Sequence, residues 1–186
     1  MNWTLPGTTI TVRRNEADSV KSVFESLFLA GGLTLSQVSS ITGLESYAIQ
    51  NWVKRGFLSA PVGKKYTMEQ LCRIITIHML RGPLTLEQIT GLMSYVNGDL
   101  ADDSDDLIDD AELYFMFVRL AARARHIGGS QQWDEAVESV LTDYTEPVPG
   151  ARERVGKVLR TMLTAWVANC LRLETEEMLK KLMQSQ

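Results

Sequence analysis

Side chains that could recognise nucleic acid are concentrated in two short stretches of the sequence. Gln50 and Asn51 carry amide groups, which can form paired hydrogen bonds with the edge of an adenine base. Lysine and arginine, which bind backbone phosphates, follow directly and recur a few residues downstream. The residues expected to contact double-stranded DNA are Tyr47, Gln50, Asn51, Lys54, Arg55, Lys64 and Lys65.

Two predicted helices surround the first of these stretches. Residues 33–43 carry apolar side chains at helical spacing and end at Gly43, which can adopt the left-handed conformation that stops a helix. Residues 45–57 predict a second helix. Two short helices joined at a glycine are typical of a helix-turn-helix, in which the second helix lies in the DNA major groove. Trp52 and Tyr66 are expected to pack between this second helix and the segment that follows.

The residue pattern after the second helix predicts a small β-hairpin and two more helices. Residues 63–66 have the composition of a tight hairpin return. Residues 68–80 predict a third helix. A fourth helix starts after Thr85, with Gln88 three residues on as a capping box requires, and runs to Asn97.

Several short sequence motifs in this segment match those of one known family in order and spacing. They are Gly43-Leu44 before the second helix, Gly56-Phe57-Leu58 with Pro61 after it, Lys64-Lys65-Tyr66 in the hairpin, and residues 84–89 at the fourth helix. On the basis of these motifs, residues 33–98 resemble the winged helix-turn-helix of MerR-type transcription regulators. They resemble more closely a bacterial MerR-related family of unassigned function. The resemblance implies that the hairpin is a wing and that the second helix and this wing bind DNA. It also implies that the protein regulates transcription.

Two positions depart from the MerR pattern. MerR relatives commonly carry an arginine and two aromatic residues where this chain has Gln50, Asn51 and Trp52. They carry a small capping residue where this chain has Glu45. The two amides keep the helix chemically able to bind bases, whereas Glu45 would repel a phosphate near the start of that helix.

The composition is that of an ordinary globular protein. The chain has 186 residues, of which 45% are hydrophobic and 23% charged. No apolar run approaches the ~18 residues needed to cross a membrane, and the first residues lack the features of a signal peptide, so we expect a cytoplasmic protein. Cys72 and Cys170 stand singly in predicted helices, which argues for core positions and against a disulfide or zinc site.

Charge is distributed unevenly, although the net charge is only −4. Residues 1–98 carry nine basic and six acidic side chains, whereas residues 99–186 carry ten and seventeen. Residues 34–82 hold six basic and two acidic side chains. Positive charge is therefore gathered where a DNA backbone would lie, although a solvated surface with a mild local excess would give the same count.

The first 32 residues are expected to form an arm and one helix. Residues 8–14 favour an extended conformation, with Arg13 and Arg14 placed to touch DNA phosphates or the acidic surface of a partner. The alternative is an arm packed on its own domain or on a dimer mate. Residues 18–29 carry the broad apolar face of a buried helix.

An acidic run separates the two halves of the chain. Eight carboxylates lie between Asp99 and Glu112. No register supplies the alternating ligands, glycine and final glutamate of a calcium loop, so no metal site is predicted. We interpret residues 99–110 as a solvated linker whose last carboxylates favour the N-terminus of the next helix. The alternative is a phosphate mimic that competes with DNA for the wing.

Residues 111–186 are expected to form a helical dimerisation or sensing domain. Apolar spacing predicts helices over residues 107–126, 131–141 and 151–183, the last with a band wide enough for burial on more than one side. Residues that could line a pocket for a small-molecule effector, or form core and surface instead, are Tyr114, Phe115, Phe117, Trp133, Tyr144, Trp166, Arg119, Arg123 and Arg125. A homodimer is favoured, because two copies must be held one DNA turn apart to bind a pseudo-palindromic site.

Catalytic chemistry has little support. His78 and His126 lie in separate predicted helices without ligand spacing, and no phosphate loop or nucleophile motif appears. We expect His78 at the edge of the core and His126 near the end of its helix, where a cation is favourable. No enzyme activity and no cofactor are predicted.

Together these features predict an all-α fold with a small β wing and a helical C-terminal domain. The predicted function is a homodimeric, sequence-specific regulator of transcription that binds double-stranded DNA. The alternative is a protein-interaction adaptor that keeps the winged-helix fold without DNA binding and docks partners on its acidic half.

Overall fold

The computed structural model describes residues 2–100, 102–124 and 130–184. The described chain is mainly helical, with one two-stranded antiparallel sheet, β1 (Asn2–Thr4) and β2 (Thr11–Arg13). The predicted predominance of helix with a small β element is confirmed. The sheet itself lies at the N-terminus, whereas the hairpin at residues 62–65 contributes a single β-bridge.

The helices follow in chain order after a 3-10 turn at Arg14–Ser19. They are α1 (Val20–Leu27), α2 (Leu35–Thr42), α3 (Ser46–Lys54), α4 (Met68–Leu80), α5 (Leu86–Asn97), α6 (Asp110–Ala124), α7 (Ser130–Val140) and α8 (Ala151–Gln184). A second 3-10 turn, at Asp103–Asp105, lies in the acidic run. The predicted Arg125 and His126, and residues 128–129 of the predicted helix break, fall outside the described residues.

Local sequence signals determine where three of these helices begin. In α2, α4 and α5 a threonine side chain accepts the N–H of a glutamine three residues on, whose side chain accepts the N–H of the threonine. These capping boxes are Thr34 with Gln37, Thr67 with Gln70 and Thr85 with Gln88. Each satisfies two backbone donors that would otherwise lack partners, and each can be predicted from sequence.

The N-terminal arm is packed on its own chain. Trp3 and Leu5 are buried, and the hydroxyl of Tyr114 on α6 donates a hydrogen bond of 3.0 Å to the carbonyl of Pro6. Arg14 lies over the Trp3 ring and donates to the carbonyl of Ala122. Of the two predicted uses of the arm, internal packing is therefore the one observed for Arg14.

One hydrophobic core extends from the N-terminal hairpin to α8. Helix α4 lies inside it, and its Cys72 is fully buried as expected, whereas Cys170 on α8 is half-buried. Tyr114 and Phe115 of α6 pack against Phe24 of α1, with ring centroids 5.4–5.6 Å apart. Tyr114 and Phe115 are therefore core residues.

The acidic run is only partly solvated. Asp109 caps α6 by accepting the N–H of Glu112 at 2.7 Å, which agrees with the expected helix-favouring role. Asp110 departs from the predicted solvated linker, because its buried carboxylate lies 3.1 Å from the Arg73 guanidinium and accepts a hydrogen bond from Asn97. Burial raises the pKa of Asp110, and the charge of Arg73 acts in the opposite direction.

Helix α8 changes its surroundings along its length. Up to Trp166 it is buried at regular intervals against the core, as predicted. Residues 171–184 are all exposed in the single chain, so burial of this half on more than one side stays a prediction that depends on a dimer interface. Among the described residues, no helix is both long and apolar enough to span a membrane.

Candidate nucleic-acid interface

Helix α3 has one buried and one exposed face. Ile49 and Trp52 point into the core and are 0% and 2% exposed. The opposite face presents four of the predicted DNA-contacting side chains, namely Tyr47, Gln50, Asn51 and Lys54. The burial of Trp52 and of Tyr66 agrees with the packing roles predicted for them, although the neighbour seen over the Trp52 ring is Arg81 at the end of α4.

The turn between α2 and α3 fixes how this face is presented. Gly43 ends α2 with φ 71°, a left-handed conformation that costs a glycine little. The hydroxyls of Ser39 and Ser46 are hydrogen-bonded at 2.9 Å and join the two helices. Glu45 occupies the N-cap of α3 but its side chain makes no capping hydrogen bond, so an exposed carboxylate stands at this helix end.

The hairpin beside α3 is short and strained. Lys65 donates its N–H to the carbonyl of Val62 at 2.9 Å, and Gly63 and Lys64 both have positive φ, 56° and 63°, as a type I′ turn requires. Among the described residues, Lys64 is the one non-glycine residue with positive φ. A side chain is thus retained at a position where glycine would be less strained.

Two backbone hydrogen bonds hold this hairpin against the start of α2. Leu33 and Tyr66 exchange N–H to carbonyl bonds of 2.9 and 2.7 Å. A Cβ atom at Gly32 would lie 2.7 Å from the Tyr66 carbonyl. The chain segments at Leu33 and Tyr66 can therefore approach each other only because residue 32 is glycine. The hairpin is therefore fixed relative to α2 and, through α2, relative to α3.

A groove of about 540 Å³ lies between α2, α3 and the hairpin. It is lined by Thr34, Leu35, Ser36, Gln50, Val53, Pro61, Lys64 and Tyr66. Gln50 from α3 and Lys64 from the hairpin, which the sequence predicted separately, thus meet at one groove. We call the exposed Tyr47, Gln50, Asn51, Lys54, Lys64 and Lys65 the α3–hairpin surface.

Three of the six basic residues in residues 34–82, all arginines, contact other residues of the same chain. Arg73 donates to the Phe57 carbonyl at 3.1 Å and pairs with Asp110, and Arg81 lies over the Trp52 ring. Arg55, whose predicted contact with DNA stays a prediction, forms an ion pair with Glu87 on α5. Nothing in the linear pattern indicated these uses, because each partner is distant in sequence.

The contacts of Arg55 explain its orientation. Its guanidinium lies 2.9 Å from the Glu87 carboxylate and 4.6 Å from the centre of the Phe57 ring. The first contact directs the guanidinium toward α5, and the second holds it over the turn that follows α3. Lys54, Lys64 and Lys65 are exposed and form no ion pair with any described residue, so they are the cations of this surface that remain available to a ligand.

A larger groove, of about 840 Å³, lies between α7 and α8 and has a different chemistry. Its charged side chains neutralise one another: Arg152 pairs with Glu138 at 3.0 Å and Arg160 with Asp134 at 2.7 Å. A groove whose charges are already paired offers little to a polyanion. The α3–hairpin surface is therefore the stronger candidate for nucleic acid.

Comparison with known proteins places this surface inside a shared segment. A family model described as Domain of unknown function (DUF1836) matches residues 18–117, more than half of the chain. The Uncharacterized protein YkrK of Bacillus subtilis (strain 168) is 33% identical over 84 residues, which cover 43% of this chain and 36% of YkrK. The chain thus matches little more than a third of the length of that relative. No solved structure matches the chain.

Proposed function

We propose that this chain, which belongs to the family described as Domain of unknown function (DUF1836), is a homodimeric, sequence-specific regulator of transcription that binds double-stranded DNA. The observation that carries the proposal is the α3–hairpin surface. Amide and lysine side chains from two elements converge there on one groove, while the opposite face of α3 is anchored in the core. A DNA-binding role would place the protein in the bacterial cytoplasm.

In this proposal the segment α2 to α5 is a winged helix-turn-helix of MerR type. Helix α3 enters the major groove, where Gln50 and Asn51 meet base edges. Lys64 and Lys65 on the hairpin, as the wing, contact the phosphate backbone. Such a division of labour is general in protein–DNA recognition, because phosphate contacts fix position and base contacts supply specificity.

The electrostatic contribution per protomer is modest. Three exposed lysines, Lys54, Lys64 and Lys65, face the proposed DNA, and Glu45 opposes them at the start of α3. A dimer doubles the number of phosphate contacts and therefore the salt dependence of binding. We accordingly propose that a single copy binds DNA weakly and that the homodimer is the functional unit.

A second candidate function, a protein-interaction adaptor, is favoured by one observation. Arg55 is drawn away from the α3–hairpin surface by Glu87, which reduces the positive charge available for DNA. In an adaptor, Tyr47, which is 73% exposed, would be a contact for a protein partner instead of for a nucleotide. The two candidates differ in whether the hairpin lysines matter for DNA affinity.

The experiment that tests the proposal is selection of duplexes from a random pool, followed by fluorescence anisotropy of an enriched duplex at about 50 and 200 mM salt. We expect one enriched motif, bound more tightly than its scrambled version and more weakly at the higher salt. A pool that shows no enrichment, with no binding even at low salt by folded protein, would reject DNA binding and favour the adaptor.

A further inference from the structure

A cavity of about 490 Å³ lies beside α8 at the point where this helix leaves the core. Its walls come from the turn of the N-terminal hairpin at residues 7–8, from the end of α4 and the turn after it at residues 78–82, and from α8 within residues 166–173. The volume falls in the range of small-molecule sites, roughly 300–1,000 Å³. We call it the α4–α8 cavity, and it shares no lining residue with the α3–hairpin surface.

The charged groups of the α4–α8 cavity are basic. His78, Arg81 and Arg172 line it, whereas no described carboxylate does. Arg81 forms no ion pair with a described residue. Arg172 pairs with Glu176 one turn along α8, but both side chains are about half exposed, so water screens the pair and the guanidinium can turn to a ligand. The cavity therefore attracts anions.

The ring of His78 responds to this positive charge. Burial lowers its pKa, and the nearby charge of Arg81 lowers the pKa further. No described carboxylate pairs with the ring. An anion bound in the cavity would oppose the charge of Arg81 and would therefore raise the pKa of His78.

The cavity also has an apolar wall. Trp166 and Met79 line it and are 7% and 4% exposed. The Trp166 ring packs edge-on against Phe117 in the core, with ring centroids 6.0 Å apart, which fixes its position. Of the predicted effector-pocket residues that the structure describes, Trp166 alone lines this cavity. Basic groups beside a fixed aromatic ring suit a small molecule that carries both an acid group and an apolar body.

The walls are held together without a ligand. A Cβ atom at Gly82 would collide with the Asn169 side chain, so the turn after α4 approaches α8 only because residue 82 is glycine. The Asn169 amide oxygen accepts a hydrogen bond of 3.0 Å from the Arg172 guanidinium and so orients it. The hairpin is tied to α6 by the hydrogen bond from Tyr114 to the Pro6 carbonyl. Little rearrangement is therefore needed on binding, which favours affinity.

We infer that the α4–α8 cavity binds a small organic acid, whose carboxylate or phosphate meets Arg81 and Arg172 and whose apolar body lies against Trp166. The inference rests on the proposed function in one respect, because it makes this acid an effector of the regulator. Binding itself can be measured without DNA.

Arg81 connects the cavity with α3. Its guanidinium lies 5.5 Å from the centre of the buried Trp52 ring, on the core side of the helix proposed to enter the major groove. An acid that draws Arg81 toward the cavity weakens this contact and changes how α3 is held. Occupancy of the cavity and affinity for DNA are then coupled, and the coupling is reciprocal.

The first test is isothermal titration calorimetry of the full chain without DNA. The probes are phenyl phosphate and phenylacetate, with benzyl alcohol as a neutral molecule of similar size and inorganic phosphate as a head group without an apolar body. We expect at least one of the two acids to bind with a Kd of about 1 mM or less, and both comparison molecules to bind about tenfold more weakly or worse. The acid that binds more tightly identifies the head group.

Variants of the cavity test which side chains hold the acid. Arg172→Gln and Arg81→Gln should each weaken binding about tenfold or more, because each removes a charge-assisted hydrogen bond. The matched control is Arg154→Gln, which changes an arginine of α8 that also lies over an aromatic ring, Tyr95, but does not line the cavity. It should bind the acid as the native chain does. Circular dichroism of each variant checks that the helices persist.

Proton NMR then locates the acid. The chain has two histidines, so His126→Gln leaves His78 as the single histidine ring to follow. We expect saturating acid to raise the pKa of His78, and Arg172→Gln to abolish the rise at the same acid concentration.

Four results would overturn the inference: neither acid binding with a Kd below about 10 mM, benzyl alcohol or inorganic phosphate binding as tightly as the acids, both cavity variants binding as the native chain does, or a pKa of His78 that saturating acid leaves unchanged. Equal loss of binding in Arg154→Gln would count against the site in the same way.

The second test is anisotropy of the selected duplex with and without the preferred acid. We expect saturating acid to change the duplex affinity about fivefold or more, and Arg172→Gln to remove the response. A chain that binds both ligands independently would overturn the effector role. A chain that binds the acid but no duplex would refute the proposed function while supporting the cavity, so the two failures can be told apart.

Discussion

Arg73 and Lys64 belong to the same positively charged segment, yet the fold uses them in opposite ways. Arg73 lies on α4 with 5% of its side chain exposed and with partners from two other parts of the chain, Phe57 and Asp110. Lys64 lies at the hairpin tip, where it is exposed, forms no ion pair with a described residue and is held in a strained backbone conformation. One region uses a cation to hold the fold together, and the other keeps a cation free.

This contrast shows that a count of basic residues overstates the surface offered to DNA. Six basic side chains lie in residues 34–82, but only Lys54, Lys64 and Lys65 are exposed with neither an ion pair nor a contact to an aromatic ring among the described residues. The buried pair fixes the turn after α3 through the Phe57 carbonyl, whereas Lys64 lines the groove that α3 borders. Stability and recognition should therefore respond to different mutations.

The largest expected effect is on stability at the buried pair. Arg73→Met leaves the Asp110 carboxylate buried without its counter-charge, and we expect the free energy of unfolding to fall by about 3–5 kcal/mol. Urea denaturation measures this loss. Lys65→Met, the same change at the exposed site, should stay within about 0.5 kcal/mol of the native chain.

The double variant Arg73→Met with Asp110→Leu is the control for mechanism. It removes both charges, so it should recover much of the stability lost in Arg73→Met alone. A fall below about 1 kcal/mol for Arg73→Met would contradict the role assigned to the buried pair.

The next effect is on base recognition at the α3–hairpin surface. Gln50→Ala or Asn51→Ala should reduce discrimination between the selected duplex and a single-base variant by about 1–3 kcal/mol for the base each residue contacts. Competition anisotropy with a set of single-base variants measures it. Stability should not change, because both side chains are exposed. Equal weakening on every duplex would argue that these amides do not contact bases.

A smaller effect is expected when the backbone strain at the hairpin tip is relieved. Lys64→Gly relieves the positive φ, and we expect a gain in unfolding free energy of up to about 1 kcal/mol together with weaker DNA binding. Thermal denaturation and anisotropy on one preparation give both values. A variant that gains stability and keeps its DNA affinity would show that Lys64 has no role in binding.

The smallest expected effect concerns pH. Burial, with Arg81 nearby, lowers the pKa of His78 on α4. The unfolded chain then binds more protons than the folded one, so the stability contributed by neutral His78 is present above the ordinary histidine pKa near 6.5 and is lost as pH falls through the lowered value. His78→Gln should flatten urea-denaturation midpoints between pH 7 and about pH 5. A slope unchanged by the substitution would assign the dependence to other groups.

Elements governed by local signals could be predicted from the sequence. Thr34 and Thr85 mark helix starts because their capping partners lie three residues away, and Gly43 marks an end because of its own backbone. The helix over residues 45–57 was predicted as well, and α3 forms within that range. All of these depend on neighbours within one or two turns.

Features that depend on distant partners could not be predicted. The ion pair of Arg55 with Glu87 requires the fold to bring the start of α5 close to the end of α3. Asp110 was assigned to a solvated linker, and its burial requires α4 and α6 to meet. The exposed half of α8 has apolar residues at the same spacing as the buried half, so periodicity alone could not tell which half lies against the core.

The measurement that most directly tests DNA binding through the α3–hairpin surface is the salt dependence of affinity for the selected duplex. We compare the native chain with two double variants, Lys64→Ala with Lys65→Ala and, as a matched loss of charge elsewhere, Lys21→Ala with Lys157→Ala. The first should weaken binding and lower the slope of log affinity against log salt by about one per lysine that meets a phosphate, hence about four for a dimer. The second should change neither. Equal behaviour of the two variants would contradict the assignment of DNA binding to this surface.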